Sequence, residues 1–173
     1  YYKEQWVISG GDTVIVRKNP SGYNTGMDAN SNSAPLNCSG NGGGGFMPTI
    51  PSGTAAQHTR ILGENYANCT SDSAKTLLHG TWGAYTVFNT TDSQFVDVAC
   101  FEVTDTAACA MSGAYTNACS NGSSNNAASN GILQSALTAS VNYTDLFIHG
   151  LGTDGIRGAS GVGIVADRVH IRA

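Results

Sequence analysis

A repeat of 23 to 24 residues near the C-terminus and short strands rich in Val, Ile and Phe predict an all-β fold, a right-handed parallel β-helix. Charged residues make up only 12% of the chain and it holds 22 glycines, which indicates frequent turns and few amphipathic helices. With 173 residues, the chain has the length of one domain. We therefore expect a single parallel β-helix domain over residues 1–173, incomplete at the C-terminus.

Two pairs of segments carry the repeat. Residues 131–135 (GILQS) and 155–159 (GIRGA) begin 24 positions apart, and residues 141–149 and 164–172 align at a spacing of 23. A fixed period of this length, built from β-branched strands and Gly or Asn turns, is typical of a solenoid whose units bury their apolar faces by stacking. One coil of the β-helix is thus predicted to take 23 to 24 residues.

The same template recurs earlier in the chain. Counting back 45 residues from Leu146 and Ile148, close to two periods, reaches Phe101 and Val103 in the similar segment 95–103. Further strands, each bounded by turn residues, are predicted at residues 12–16, 60–63, 76–79 and 85–88. Two aperiodic stretches, residues 18–53 and 106–130, are predicted to be loop excursions from the coil.

The charge and hydropathy of the chain argue against two kinds of partner. The net charge is −4 with only eight Lys and Arg, which provides no basic surface for nucleic acid. No stretch approaches the roughly 20 consecutive apolar residues of a membrane-spanning helix. We expect neither a nucleic-acid partner nor a membrane span.

Cysteines and glycan acceptors indicate an extracellular or secreted protein. The five cysteines lack the close CxxC spacing of zinc sites, so disulfides are the favoured use and no metal site is predicted from them. The disulfide candidates are Cys38, Cys69, Cys100, Cys109 and Cys119. The Asn-x-Ser/Thr acceptors, which are glycosylation sites only in a secretory pathway, are Asn37, Asn68, Asn89, Asn121 and Asn142.

Several motifs resemble those of secreted right-handed parallel β-helix proteins of the pectate-lyase-like superfamily. They are residues 11–16 (GDTVIV), 51–54 (PSGT), 59–64 (TRILGE) and 148–156 (IHGLGTDGI). The resemblance runs along most of the chain and is architectural. It implies a polysaccharide partner, uronate-containing for some members, that is bound or cleaved. Other members of the superfamily are adhesins or structural spikes.

If the chain is an enzyme, the resemblance implies a polysaccharide lyase or a glycoside hydrolase. A lyase needs a base and commonly calcium held by acidic residues, whereas a hydrolase needs paired carboxylates. The candidate catalytic residues are Asp97, Glu102, Asp105, Asp145, His149, Asp154 and Arg157. Because an Asp after a strand commonly hydrogen-bonds its own turn, structural roles are the alternative for Asp105 and Asp154.

Strand alternation indicates which side chains face solvent. If Phe101 and Val103 point inward, Glu102 points outward, and the aligned Phe147 and His170 occupy the same outward column. Such a mixed column is typical of an ordinary solvated face as well as of a site. Exposed aromatic rings stack on sugars, and the candidates for that role are Trp82, Tyr85 and Tyr143.

Two functions of different classes follow. The first is an extracellular β-helix that binds or cleaves polysaccharide, based on the resemblance and the long loops. The second is a structural module that stacks end to end with copies of itself into an extracellular filament or surface structure, because a β-helix edge left open exposes backbone groups and apolar side chains.

Overall fold

The computed structural model describes residues 7–24, 27–28, 50–80, 84–105, 130–134, 140–151, 154–158 and 163–172. Within these ranges the chain winds through successive coils of short strands. In chain order the strands are β1 (Thr13–Val16), β2 (Tyr23–Asn24), β3 (Met27–Asp28), β4 (Thr59–Gly63), β5 (Thr76–Gly80), β6 (Ala84–Asn89), β7 (Val96–Ala99), β8 (Phe101–Asp105), β9 (Asn130–Gln134), β10 (Val141–Thr144), β11 (Phe147–Ile148), β12 (Asp154–Gly158), β13 (Ile164–Asp167) and β14 (His170–Ile171).

These strands form three sheets that make up the faces of the solenoid. Sheet A has the order β1-β4-β7-β10-β13, sheet B the order β2-β5-β8-β11-β14 and sheet C the order β3-β6-β9-β12. Neighbouring strands are parallel, except that β3 runs antiparallel to β6. Because each strand pairs with the equivalent strand of the next coil, the predicted all-β parallel β-helix is confirmed.

The predicted period is confirmed in the last coil and is wrong further back. Val141 pairs with Ile164 at a spacing of 23, and β9 pairs with β12 at a spacing of 24. Ile148, however, pairs directly with Val103, so the 45 residues between them make one coil and not two. The extra length lies in the segment 106–129 between β8 and β9, and this segment is outside the described residues.

Sheets A and B meet at a corner made by one residue with left-handed backbone. The corner residues have positive φ angles of 65° at Cys100, 54° at Asp145 and 51° at Arg168. Residues other than Gly, Asn and Asp rarely adopt this backbone conformation. The Cys100 N–H donates to the Thr144 carbonyl at 3.1 Å, which ties one corner to the next coil. Each repeated segment, such as 95–103, therefore contains two strands that belong to different sheets.

The core lies between the three sheets. Val141 of sheet A, Phe101 and Ile148 of sheet B and Ile132 of sheet C are all fully buried. Burial of such side chains contributes about 1.5–3 kcal/mol each, which makes coil stacking the main source of stability.

The predicted outward column of sheet B is confirmed. Glu102 pairs with Phe147 and Phe147 pairs with His170, in register across three coils. Glu102 and Phe147 are partly exposed and His170 is exposed, whereas Phe101 and Val103 beside Glu102 are buried. The period-two alternation of a strand is the physical reason.

Tyr143 belongs to the core, so its prediction as a sugar-stacking residue is wrong. Its side chain is fully buried, and its hydroxyl lies 2.7 Å from Thr90 Oγ1 and donates to Gln134 Oε1 at 3.0 Å. Burial raises the pKa of this phenol above its usual range, because the charged form would lose its hydration. A ring held in this way is not available to a ligand at the surface.

The loop excursion predicted over residues 18–53 includes two short strands, so it leaves the coil later than residue 18. Residues 23–24 form β2, which pairs with β5 in parallel register, and residues 27–28 form β3. These two-residue strands lack a β-branched run, which is why the sequence pattern missed them. Residues 29–49 lie outside the described part, as do residues 106–129 of the second predicted excursion.

Replacing Gly63 by Ala is expected to destabilise the fold. A Cβ at Gly63 would lie 2.2 Å from the Cys100 carbonyl oxygen, so the backbones of adjacent coils would have to separate. We expect Gly63→Ala to lower the free energy of unfolding by about 1–3 kcal/mol, measured by urea denaturation. Gly158→Ala is the matched control, because its Cβ would meet only the mobile end of Ile164 at 3.3 Å. Equal effects of the two substitutions would contradict the close approach of the coils.

Candidate functional site

A loop bound by a disulfide replaces the tight corner between β4 and β5. Residues 64–75 contain two short 3-10 helices, Tyr66–Asn68 and Asp72–Ala74. Cys69 in this loop is bonded to Cys100 at the corner of the next coil, with the Cα atoms 5.8 Å apart. Two of the predicted disulfide cysteines are thereby paired, whereas Cys38, Cys109 and Cys119 lie outside the described residues.

This loop and the corners at Asp145 and Arg168 line a cleft of about 510 Å³, which we call the corner cleft. Its lining includes Tyr66 and Lys75 from the loop and Asp145, Arg168 and His170 from the two later coils. Tyr66 is 38% exposed, so part of its aromatic surface is accessible. The cleft therefore combines an accessible ring with charged and hydrogen-bonding groups.

Lys75 is held rigidly in the wall of the corner cleft. Its side chain is only 8% exposed, and Nζ donates to Asp72 Oδ1 at 3.1 Å and to the Ser71 carbonyl at 3.3 Å. A buried ammonium requires such partners, because desolvation of an unpaired charge is costly. These bonds fix the position of a positive charge beside the cleft.

Asp145 and Arg168 form a two-bond ion pair across adjacent corners. Arg168 Nε donates to Asp145 Oδ1 at 2.5 Å and Arg168 Nη2 donates to Asp145 Oδ2 at 3.0 Å. The Arg168 hydrogen bond is the main cause that lowers the pKa of Asp145, and the same bond raises the pKa of Arg168. Asp145, a predicted catalytic residue, is thus a paired carboxylate at the cleft.

The outward face of sheet B carries a histidine–carboxylate pair. His149 Nε2 lies 2.8 Å from Glu102 Oε1, and Nδ1 lies 3.3 Å from Thr104 Oγ1. Because a carboxylate only accepts, the hydrogen is on Nε2, and the Thr104 hydroxyl occupies the other nitrogen. The Phe147 ring stacks on His149 with centroids 4.3 Å apart. Both nitrogens of this predicted catalytic histidine are therefore occupied.

The outward face of sheet A carries a second histidine–carboxylate pair. Asp97 Oδ1 lies 2.8 Å from His58 Nδ1 and accepts a bond from Asn142 Nδ2 at 2.7 Å. Arg60 Nε is 3.8 Å from Oδ2 of the same carboxylate. Asp97 was predicted from the sequence, whereas His58, which lies 39 residues earlier, was not.

The remaining catalytic candidates do not join either pair. Asp154 and Arg157 lie on β12 of sheet C, and Asp105 ends β8 with its side chain outside the described part. The predicted set is thus divided among three sheets and one corner. No single site contains all of its described members.

The aromatic and glycan candidates are also distributed. Trp82 and the side chain of Tyr85 lie outside the described residues, as do Asn37 and Asn121. Asn68 is exposed beside the corner cleft. Asn89 is buried and accepts the Thr91 N–H at 2.9 Å, while the partly buried Asn142 donates to Asp97.

Asp145 and Cys69 of the cleft were predicted from the sequence as a catalytic and a disulfide candidate, whereas Tyr66 and Lys75 were not. Arg168 follows Asp145 by one 23-residue period, so the repeat alone carried the signal for that pair. Tyr66 and Lys75 lie in an aperiodic segment and gave no such signal. Tyr66 and Lys75 belong to the loop that the Cys69–Cys100 disulfide ties to the next coil.

In the described ranges, no group of three or more His, Cys, Asp or Glu side chains is placed to hold a metal ion. No helix in the same ranges has the length and apolar character needed to cross a membrane.

Comparisons with known proteins found no match for this chain among family models, curated proteins or solved structures.

Loss of the Asp145–Arg168 pair is expected to destabilise the protein in a pH-dependent way. A folded carboxyl with a lowered pKa stabilises the fold above its unfolded pKa, and this contribution is lost as pH falls through the folded value. We expect Arg168→Gln to lower the free energy of unfolding near neutral pH. The difference from wild type should shrink below about pH 4, the ordinary range of Asp, in urea denaturation at several pH values.

Arg172→Gln is the matched control for this prediction. Arg172 lies 5.9 Å from the Phe147 ring centroid and has no carboxylate partner among the described side chains. Its small effect should not change across the same pH range. A pH-independent effect of Arg168→Gln would contradict the role of the ion pair.

Proposed function

We propose that this chain is an extracellular polysaccharide-binding β-helix protein of the pectate-lyase-like kind, with its ligand in the corner cleft. The observation that carries the proposal is the accessible Tyr66 ring beside fixed charged groups in a cleft of about 510 Å³. Sugar recognition typically combines a flat apolar surface for the ring face with hydrogen-bonding groups for the hydroxyls. Both are present in this cleft.

The charges of the corner cleft are arranged to accept either neutral or acidic sugars. Lys75 is paired with Asp72 and Arg168 with Asp145, so each cation keeps a local carboxylate. Unused guanidinium and ammonium hydrogens can bind a hydroxyl or a uronate carboxylate, because Arg presents five donors and Lys three. A uronate-containing polysaccharide is therefore the first ligand to test.

The extracellular location is supported by the covalent structure. The disulfide Cys69–Cys100 fixes the wall of the cleft, and disulfides persist in oxidising compartments. The motifs that resemble secreted β-helix proteins support the same location.

Binding to the corner cleft is tested by calorimetric titration with a uronate-containing polysaccharide and with a neutral glucan. We expect Tyr66→Ala to weaken binding about ten-fold, because the stacking surface is lost, and Tyr66→Phe to retain it. Arg168→Gln should weaken binding, whereas its matched control Arg17→Gln, an exposed residue paired with Glu64, should not.

Retention of neither polysaccharide would overturn the proposal, as would binding that is indifferent to Tyr66→Ala. Cleavage is measured in the same mixtures as new reducing ends and as the absorbance of unsaturated uronates. The reducing ends report hydrolysis and the absorbance reports a lyase, so the two readouts separate simple binding from either reaction.

A second candidate function is end-to-end assembly of copies of this chain. Ile164 and Ile171 belong to inward columns of the last described coil, where they are 37% and 55% exposed. Val14 of β1, in an inward column at the other edge of sheet A, is only partly buried. Parallel pairing of β13 and β14 of one copy with β1 and β2 of the next would continue sheets A and B and cover these side chains. A contact of this heterologous kind that does not close produces a filament.

Assembly is tested by sedimentation velocity and electron microscopy at increasing concentration. We expect the double variant Ile164→Lys and Ile171→Lys to abolish large species, because each lysine would place a charge in the contact. Tyr66→Lys, which adds the same charge at the corner cleft, is the control and should assemble like wild type. A wild-type chain that stays monomeric at high concentration would contradict this candidate function.

A further inference from the structure

The Asp97 carboxylate is fixed on the outward face of sheet A by neighbours from two strands and the segment before β4. Oδ1 accepts Asn142 Nδ2 at 2.7 Å and faces His58 Nδ1 at 2.8 Å, while Arg60 Nε lies 3.8 Å from Oδ2. The backbone ladder sets this arrangement, because Arg60, Asp97 and Asn142 are paired in register on β4, β7 and β10. The carboxylate is therefore held in one orientation toward His58.

His58 has one free ring nitrogen, and this distinguishes it from His149. Asp97 accepts, so Nδ1 carries the hydrogen and Nε2 has a lone pair in the neutral ring. Nε2 has no hydrogen-bond partner among the described residues and is not buried, in a side chain that is 20% exposed. The ring is also packed against Phe95, with centroids 5.7 Å apart. An oriented imidazole with an accessible lone pair is the requirement for a general base.

Arg60 supplies a cation beside this base. His58 and Arg60 are two positions apart along one extended segment, so both side chains rise on the same side. Arg60 is 44% exposed, and at 3.8 Å its Nε is too far from Asp97 for a direct hydrogen bond. Its guanidinium hydrogens are thus available to stabilise negative charge that develops near His58.

We infer that His58 is a general base, with Asp97 as its positioning residue, in a site that hydrolyses short-chain carboxylic esters. Water transfers a proton to His58 Nε2 while its oxygen bonds to the ester carbonyl carbon. Arg60 stabilises the resulting oxyanion. The bond from the carbonyl carbon to the alcohol oxygen then breaks, and the imidazolium returns the proton to the departing alkoxide. The products are a carboxylic acid and an alcohol, and the step needs no other reactant.

The site of His58, Asp97 and Arg60 shares no residue with the lining of the corner cleft, although the two are adjacent. The Arg60 guanidinium carbon lies 5.8 Å from the Tyr66 ring centroid. Ester hydrolysis by His58 requires no bound polysaccharide, so failure of polysaccharide binding leaves this inference standing, and failure of hydrolysis leaves the proposed function standing.

The test is hydrolysis of 4-nitrophenyl acetate by the full chain, compared with free imidazole at the same concentration. We expect wild type to exceed imidazole and His58→Gln to lower kcat/KM about 100-fold or more. Asp97→Leu should lower it comparably, because the ring loses the acceptor that keeps the hydrogen on Nδ1. His79→Gln, a matched change on the outward face of sheet B, should retain the wild-type rate. Circular dichroism verifies that each variant is folded.

A second measurement does not depend on the stability of the variants. Long-range ¹⁵N–¹H correlation spectra of the wild-type imidazoles should show His58 with its hydrogen on Nδ1, and Asp97→Leu should shift it toward Nε2. A purely structural role for Asp97 would lower stability and leave the rate of hydrolysis by the folded variant unchanged. A wild-type rate equal to free imidazole, an unchanged rate in His58→Gln, or an Nε2–H tautomer in wild type would each overturn the inference.

Discussion

The coils of the described structure depend on the parallel backbone pairing that holds one coil in register with the next. Val96, Val141 and Ile164 stand in one ladder of sheet A, and Glu102, Phe147 and His170 stand in one ladder of sheet B. Because side chains alternate along each strand, the register sends one column into the core and its neighbour to solvent. A slip of one residue would exchange the two columns, so burial of the apolar column fixes the polar one.

The corner between sheets A and B turns this regular scaffold into a shaped surface. A left-handed residue makes the turn in three coils, while the coil between β4 and β5 carries the longer loop 64–75 instead. The Cys69–Cys100 disulfide ties that loop to the corner of the next coil and keeps the cleft walls in place. A covalent tie suits an irregular loop, which has few buried apolar contacts to order it.

The two histidine–carboxylate pairs show how one architecture produces different chemistry. Glu102 and His149 are paired on sheet B, and the Thr104 hydroxyl occupies the second imidazole nitrogen. Asp97 and His58 are paired on sheet A, where the second nitrogen stays accessible. The distances within the pairs are equal at 2.8 Å, so the difference lies in the neighbouring side chain of each ladder. A satisfied imidazole stabilises a sheet, whereas an accessible one can exchange protons with a ligand.

The fold class, the length of the last coil and the alternation that exposes Glu102 are predictable from the amino-acid sequence, because a local pattern of apolar residues encodes all three. Which polar residues meet depends instead on how the coils stack. His58 and Asp97 are 39 residues apart and Asp97 and Asn142 are 45 apart, because coils of unequal length separate them. The sequence pattern likewise did not predict the burial of Tyr143 or the position of Tyr66 at the cleft. Contacts between coils depend on the length and path of each loop excursion. A local periodicity of apolar residues does not encode that length or path.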